Sequence, residues 1–253
     1  MTDRARPLRR IWLGTVPYQE AWQLQRRLAA ARVAGEIDDC VLLLEHPPVY
    51  TVGRNAEEAH LGAGPSALRD LGAECVEVDR GGSVTFHGPG QLVAYPILLL
   101  ADVFPIPTAP GRGDVVAYVR ALEGALIATA WRHGVVAVRR AGYTGAWVGP
   151  SKLAAIGVKL ARGVTQHGVA LNVCNDLAWF GHVVPCGIPD AGVTSMAREG
   201  AAGLTPELVS EDLAAALAEA LGSALSEADL ALRRTVAEFS PILTSSESMG
   251  TNH

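Results

Sequence analysis

From Tyr18 to Ala34 apolar residues recur at helical spacing, and Gly35 stands where such a helix would end. The period then changes. CVLLLEH (Cys40–His46) reads as a buried strand stopped by Pro47-Pro48, and VYTVG (Val49–Gly53) as a short second strand. CVEVDR (Cys75–Arg80) alternates as a strand does. RGGSVTFHGPGQLVAYPILLL, which starts at Arg80, holds two glycine turns and two apolar strand-like runs. Ala101–Gly113 is rich in Pro and Gly and reads as a long loop able to cover a site. Helical periodicity returns over Asp114–His133 and stops at Gly134.

Short strands separated by glycines follow: VVAVRR from Val135, GAWVG from Gly145, KLAAIGVKLA from Lys152, and QHGVALNV over Gln166–Val173. Thr205–Leu221 reads as a helix with Thr205 as cap, Pro206 in the first helical position and Glu207 in the first turn. Strands dominate the middle, with helices early, centrally and late. That pattern predicts an α/β chain with a mixed sheet, not a regular βαβ series. No repeat and no interdomain linker interrupts it, so residues 1–240 are expected to form one catalytic domain. Residues 241–253, rich in Ser, Thr, Gly and Asn, read as a disordered tail.

Composition narrows the function. Of 253 residues, 49% are hydrophobic and 19% charged, as in a packed globular protein. A net charge of −5 and the lack of any Lys/Arg-rich run argue against a nucleic-acid partner. No run nears the roughly 20 apolar residues that span a bilayer. The N-terminal apolar stretch is short and broken by Gly14 and Pro17, unlike a signal peptide, so a cytoplasmic protein is expected. Cys40, Cys75, Cys174 and Cys186 form no CxxC pair and no zinc-type cluster. In a reducing compartment each is a free thiol, either a small buried hydrophobe or a reactive group.

Of the 21 basic residues only two, Lys152 and Lys159, are lysines. Arginine stays protonated, whereas a lysine amine can exchange a proton. Two lysines within eight residues are therefore either leftover surface charge or a sign of proton chemistry.

Two segments stand out. In RGGSVTFHGPGQLVAY (Arg80–Tyr95), Gly81, Gly82, Gly88 and Gly90 bracket a strand-like SVTFH. The glycines permit unusual turns and close backbone approach to a ligand, or serve a tight hairpin. His87, at the strand's end, either orients a substrate group or is an ordinary structural histidine. A phosphate loop is disfavoured, because there is no GxxxxGK[ST] and no helix signal follows. In VVPCGIPDAGVTS (Val183–Ser195), Cys186 lies between Pro185 and Gly187, so it belongs to a turn, where a thiol is more available to react. A nearby ammonium would favour its thiolate.

These segments resemble the signatures of the lipoyl(octanoyl) transferases, the octanoyl-[acyl-carrier-protein]:protein N-octanoyltransferases. The likeness runs from RGGSVTFHGPGQLVAY through SKLAAIGVKLARGVTQHGVALNV to VPCGIPDAGVTS, covering about Leu42 to Ser195. It implies that Cys186 carries the acyl group and that Lys152, ahead of Leu-Ala-Ala-Ile-Gly, is the catalytic lysine. It implies acyl-binding backbone at Arg80, Gly81, Gly82, Ser83, Val84, Thr85, Phe86 and His87, at Ala155, Ile156 and Gly157, and at Gly168, Val169 and Ala170. The implied fold is a mostly antiparallel mixed sheet flanked by helices, the catalytic module of lipoate and biotin protein ligases. The implied donor is octanoyl-acyl carrier protein. Lipoyl domains of 2-oxoacid dehydrogenase complexes and the glycine cleavage H protein are the implied acceptors, with no cofactor and no metal.

The chemistry is self-consistent. Thioester exchange onto a thiol is near thermoneutral and amide formation is downhill, so no ATP is needed. An octanoyl tail offers roughly 5 kcal/mol at about 0.8 kcal/mol per buried CH₂, which calls for an apolar tunnel where the glycine-flanked strands leave room. Three rivals remain: an ATP-dependent lipoate or biotin ligase, a non-enzymatic acyl-carrier binder, and a papain-like hydrolase, for which His182 is close to Cys186 in sequence.

Overall fold

The computed structural model describes residues 6–56, 62, 64–183 and 192–239. The first half of the chain forms β1 (Arg6–Thr15), α1 (Tyr18–Ala34), β2 (Asp39–Glu45), β3 (Val49–Val52), α2 (Gly64–Asp70), β4 (Glu74–Glu77), β5 (Val84–His87) and β6 (Gln91–Ile97). Then come α3 (Leu100–Val103), α4 (Val115–Arg132), β7 (Val138–Arg140), β8 (Tyr143–Val148), β9 (Ser151–Ala161) and β10 (Val164–Asn172). A 3-10 turn (Leu177–His182), β11 (Gly192–Val193), α5 (Pro206–Ala220), β12 (Ser223–Glu227) and α6 (Leu230–Phe239) complete it.

The large sheet runs β12-β1-β2-β6-β10-β9-β8-β7, with β11 added beside β9. From β2 to β7 each neighbouring pair is antiparallel, while β1 lies parallel to both β2 and β12. This is the mixed sheet that the residue pattern predicts, mostly antiparallel as the resemblance implies. Alternation along its central strands builds two cores. Val41 and Leu43 of β2 and Leu92 and Ala94 of β6 face α4 and α5. Cys40, Leu42 and Leu44, with Val93, Tyr95 and Ile97, face α1 and α6. A strand with both faces buried reads as the unbroken apolar run seen in sequence.

Local signals fix the helix ends. Gly35 closes α1 at φ +74°, and the Asp114 carboxylate accepts from Val116 N and Ala117 N to start α4. The Thr205 hydroxyl caps α5, with Pro206 in its first turn. A second, three-stranded sheet, β4-β3-β5, packs near the start of α1: Val49, Val76 and Val78 meet Tyr18 and Trp22.

Several elements depart from the sequence reading. β1, β12, α2 and α6 were not legible. β4 stops at Glu77 instead of continuing to Arg80, because Arg80 turns inward and is buried. Only Val138–Arg140 of VVAVRR is strand, and the expected loop after Ala101 begins with the single helical turn α3. The expected tail, residues 241–253, lies outside the described residues.

Glycine has different uses along this frame. A Cβ at Gly168 would stand 2.1 Å from the Ala94 carbonyl oxygen of β6, whereas one at Gly35 would meet nothing within 4 Å. Gly168→Ala should therefore cost several kcal/mol by forcing β10 off β6, and Gly35→Ala about 1 kcal/mol from its left-handed backbone alone. Denaturant unfolding of the two variants measures the contrast, and equal losses would contradict it.

Candidate active site

Between the small sheet and the α1 face of the large one lies a cavity of about 490 Å³, its open mouth included. Predicted residues Arg80, Gly82, Ser83, Val84, Thr85 and His87 line it from one side, and Ala155, Ile156, Gly157, Gly168, Val169 and Ala170 from the other. Three segments far apart in sequence thus meet around one space, because β9 and β10 pair directly: Ala155 with Ala170, Ile156 with Val169, Gly157 with Gly168.

Two predicted residues stand elsewhere. The Phe86 ring points away, stacked on Trp179 at 5.2 Å beside Tyr50 and Phe180. Gly81 lies in the turn over β9, where its N–H donates to Val158 O at 3.1 Å. The idea that missing glycine side chains make the tunnel needs correcting. Gly168 is bare because β6 backbone occupies that place. A Cβ at Gly157 would come within 3.0 Å of Arg80 Cδ, and Gly82 holds a turn at φ +90°.

Arg80 is 7% exposed. Its Nη2 donates to Thr51 O and Oγ1 at 2.9 and 2.8 Å, and its Nη1 to Gly81 O at 3.0 Å. The guanidinium thus joins β3 to the turn over β9. His87 is also buried. Gln91 spends its Nε2 on Asn172 Oδ1 at 2.9 Å, so its Oε1 accepts from His87 Nδ1–H at 2.7 Å, leaving His87 Nε2 as an acceptor. Asn172 Nδ2 donates onward to Thr194 O at 2.9 Å. A buried amide chain therefore links the cavity wall to the strand end beside Lys152.

Sequence reasoning missed four cavity residues: Tyr18, Val93, Tyr95 and His167. His167 has φ +56°, rare for a non-glycine residue, and donates from Nε2 to Asp79 Oδ1 at 3.1 Å. Its Nδ1 accepts from Tyr18 OH at 3.4 Å, and Lys159 Nζ holds the other Asp79 oxygen at 2.5 Å. Burial alone would raise the Asp79 pKa, but the hydrogen bonds from Lys159 and His167 outweigh it and lower it. His46 donates from Nδ1 to Val16 O and accepts at Nε2 from Tyr95 OH. The histidine before Gly168 was visible in sequence; Tyr18 reaches the site only through the long-range docking of α1.

Lys152, half-buried near the start of β9, stands with its Nζ 4.8 Å from the centre of the Trp147 ring. Across from it β11 returns, pairing Val193 with Lys152, and Thr194 N donates to Lys152 O at 3.0 Å. Lys159, read as the non-catalytic lysine, is tied to Asp79. Cys186 lies outside the described residues, in the segment between the 3-10 turn and β11. The other three thiols all have raised pKa values, chiefly through burial. His182 packs its ring on Trp179. Among the described residues no cluster of three or more His, Cys, Asp or Glu is arranged to hold a metal, and no helix is long and apolar enough to cross a membrane.

The chain matches the family model of the lipoyl protein ligase A/B catalytic domain over residues 17–218. It is 52% identical over 188 residues to a protein of Rubrobacter xylanophilus named Octanoyltransferase, covering 74% of this chain and 80% of that one. A protein of the same name from Chloroflexus aurantiacus is 49% identical over 213 residues, covering 82% and 91%. A putative lipoate protein ligase from T. acidophilum, solved with bound lipoic acid, superposes with a TM-score of 0.68 at 15% identity, covering 92% and 94% of the two chains. The last likeness is one of fold.

The two histidines of the cavity, with His46 behind them against Tyr95 and His87, carry a pH signature. Burial lowers the pKa to about 4 at His46, about 3 at His87 and about 4 at His167. The unfolded chain therefore binds more protons than the folded one between those values and about pH 6.5, the ordinary histidine pKa. Stability should be flat above pH 6.5 as far as these groups go, then fall with decreasing pH, each histidine adding up to about 1.4 kcal/mol per pH unit. Unfolding free energies from pH 7.5 to 4.5 should show this, with a shallower slope in His87→Gln. An unchanged slope in that variant would contradict a neutral buried His87.

Proposed function

The chain belongs to the lipoyl protein ligase A/B catalytic-domain family and within it to the octanoyltransferases, and on that footing we propose a covalent transfer through Cys186. It is an acyltransferase of protein lipoylation. In the proposed cycle octanoyl-acyl carrier protein is the donor. Lipoyl domains of 2-oxoacid dehydrogenase complexes and the glycine cleavage H protein are the acceptors.

Cys186 Sγ, its proton drawn to the Lys152 amine, attacks the donor's thioester carbon. The carrier thiol leaves with that proton, and the octanoyl group stays as a thioester on Cys186. The acceptor lysine amine then attacks the same carbon, Lys152 takes its proton, and the Cys186 thiolate leaves as the amide forms. The acyl tail occupies the cavity. What supports this reading most is the convergence on one cavity of six residues between Arg80 and His87 with Ala155–Gly157 and Gly168–Ala170, Ala155–Gly157 lying on the strand that also carries Lys152. The other three thiols support it too: Cys40 is buried, and the pKa of each is raised, so none of those three is poised as a thiolate.

The fold alone does not separate a transferase from an ATP-dependent ligase, because lipoate protein ligases share it. The substrates do. Octanoylation of an apo lipoyl domain should proceed from an octanoyl thioester without ATP, and free octanoate with ATP should give none. The reverse outcome would establish the ligase, and release of free acid alone a hydrolase.

Cys186→Ser should abolish transfer, and Lys152→Arg should fail although charge is kept, because arginine does not exchange its proton at working pH. Losses of about 1,000-fold or more are expected for groups that act on the reacting atoms. Full turnover in Cys186→Ser would end the covalent mechanism, and in Lys152→Arg the general-base role. A second test probes the cavity. Ala155 and Ala170 are paired small residues on its wall. Ala170→Leu should shift preference toward shorter donors, each excluded methylene costing about 0.8 kcal/mol, roughly fourfold in binding. Acyl-enzyme formation with donors of graded length reads this, with Cys186 alkylation by a small reagent and thermal melting as controls. An unchanged preference for eight carbons in the folded variant would put the tail elsewhere.

A further inference from the structure

Lys152 faces the cavity side of the sheet only because the strand that carries it is irregular. Side chains on a strand alternate, so Lys152, Ala154, Ile156 and Val158 should share one face. Ala154, Ile156 and Val158 do pack into the core under α4 and α5. Left regular, β9 would send Lys152 into that core as well. Its neighbour Leu153, however, is also in that core. Two consecutive residues on one face mean that the alternation breaks between them, which returns Lys152 to the face of Ala155 and Gly157, the cavity wall.

The pairing with β8 shows the break. Trp147 pairs with Lys152 and Val148 with Ser151, but Ala146 pairs with Ala154, so Leu153 is an extra residue on β9. This is a β-bulge, the device that re-aims a side chain. Ala146 and Val148 belong to the α4/α5 core while Trp147, opposite Lys152, does not, so the two strands agree on which face Lys152 takes.

The bulge is held from the other side of the sheet. Gly145 of β8 takes φ +122°, and a Cβ there would stand 2.4 Å from Ala154 O and 3.8 Å from Lys152 Cε. Its N–H donates to the Oε1 of Glu123 on α4 at 3.2 Å. Glu123 is 1% exposed, and its Oε2 accepts from Arg120 Nη1 at 2.7 Å and Arg139 Nε at 3.0 Å. A buried carboxylate with two cations and a strand amide is an exacting arrangement for a helix residue, and the cycle above leaves it without a use.

We propose that Glu123 is a positioning residue for Lys152: by accepting the Gly145 N–H it holds the β8–β9 bulge that turns the lysine amine toward the cavity. This rests on the reading of Lys152 as the proton carrier. Glu123 touches no substrate. Its effect is on where the amine stands when Cys186 and the acceptor react.

The test compares Glu123→Leu, Glu123→Gln and Lys152→Ala. Glutamine keeps an acceptor for Gly145 N–H and leucine does not. Glu123→Leu should lower kcat about 100-fold, the cost of displacing a catalytic group by around 1 Å, with the KM for the octanoyl donor within about threefold. Its Cys186 alkylation profile should move to higher pH, as in Lys152→Ala, and reagent acylation of Lys152, read by peptide mass, should change rate. Glu123→Gln should recover most of the turnover. Full activity in Lys152→Ala would overturn the proton-carrier reading. An inactive Lys152→Ala beside a folded Glu123→Leu with normal kcat and normal alkylation profile would overturn the positioning role alone. Should Glu123→Leu not fold, Arg120→Leu/Arg139→Leu decides, because it removes both cations that hold the Glu123 carboxylate in its place beside Gly145 N–H. The same fall in kcat at constant KM supports the proposal there, and unchanged kcat overturns it.

Discussion

A buried arginine fixes the distance between the two sheets. Arg80 donates to the Thr51 carbonyl and hydroxyl on the small sheet and to Gly81 O in the turn that crosses β9. The turn is pinned in its place by Gly81 N–H on Val158 O. Gly157 gives the Arg80 side chain its room. If these contacts were lost, the small sheet would lose its buried polar tie to the turn over β9, and the roof of the cavity would rest on the packing of Val49, Val76 and Val78 on α1 and on the Asp79 bonds to Lys159 and His167. A buried guanidinium is costly unless its donors are engaged, so the same contacts that satisfy it also shape the space beside it.

Tyr18, Arg80, His87 and His167 bring polar groups to that cavity, with Asp79 and Lys159 bonded behind His167, while Ala155 and Ala170 give it methyl groups. Because burial keeps the imidazoles neutral, the pocket presents dipoles and ring edges with few full charges. An aliphatic chain can lie against such a surface without stripping water from an ion. In the proposed cycle the lipoate protein ligase fold supplies the container, and the residues at the Lys152 end supply the chemistry.

Much of this was legible because it is local. The cap at Thr205, the glycine after Ala34 and the apolar runs of β2 and β6 are written in neighbouring residues. The wall segments were legible through their resemblance to known transferases, and twelve of the fourteen backbone positions it implies line the cavity. What escaped depends on contacts across the chain. β1 and β12 are parallel partners more than 200 residues apart, and neither carries a strong strand pattern of its own. Phe86 sits in a strand whose outward face happens to meet Trp179, and Tyr18 meets His167 only once α1 has docked. The bulge at Leu153 leaves no mark in sequence, because Leu153 and Ala154 are an ordinary apolar pair until Gly145 is set against them.

The central claim is that one octanoyl chain is tethered at Cys186 while its tail lies between the Arg80 turn and the β9–β10 walls. An octanoyl thioester donor bearing a photoreactive diazirine at the end of its chain tests both halves at once. After loading and irradiation, peptide mass mapping should find a thioester on the peptide containing Cys186 and the crosslink within Ser83–His87, Ala155–Gly157 or His167–Ala170. A thioester on another residue, or a crosslink confined to surface segments away from that cavity, would contradict the account.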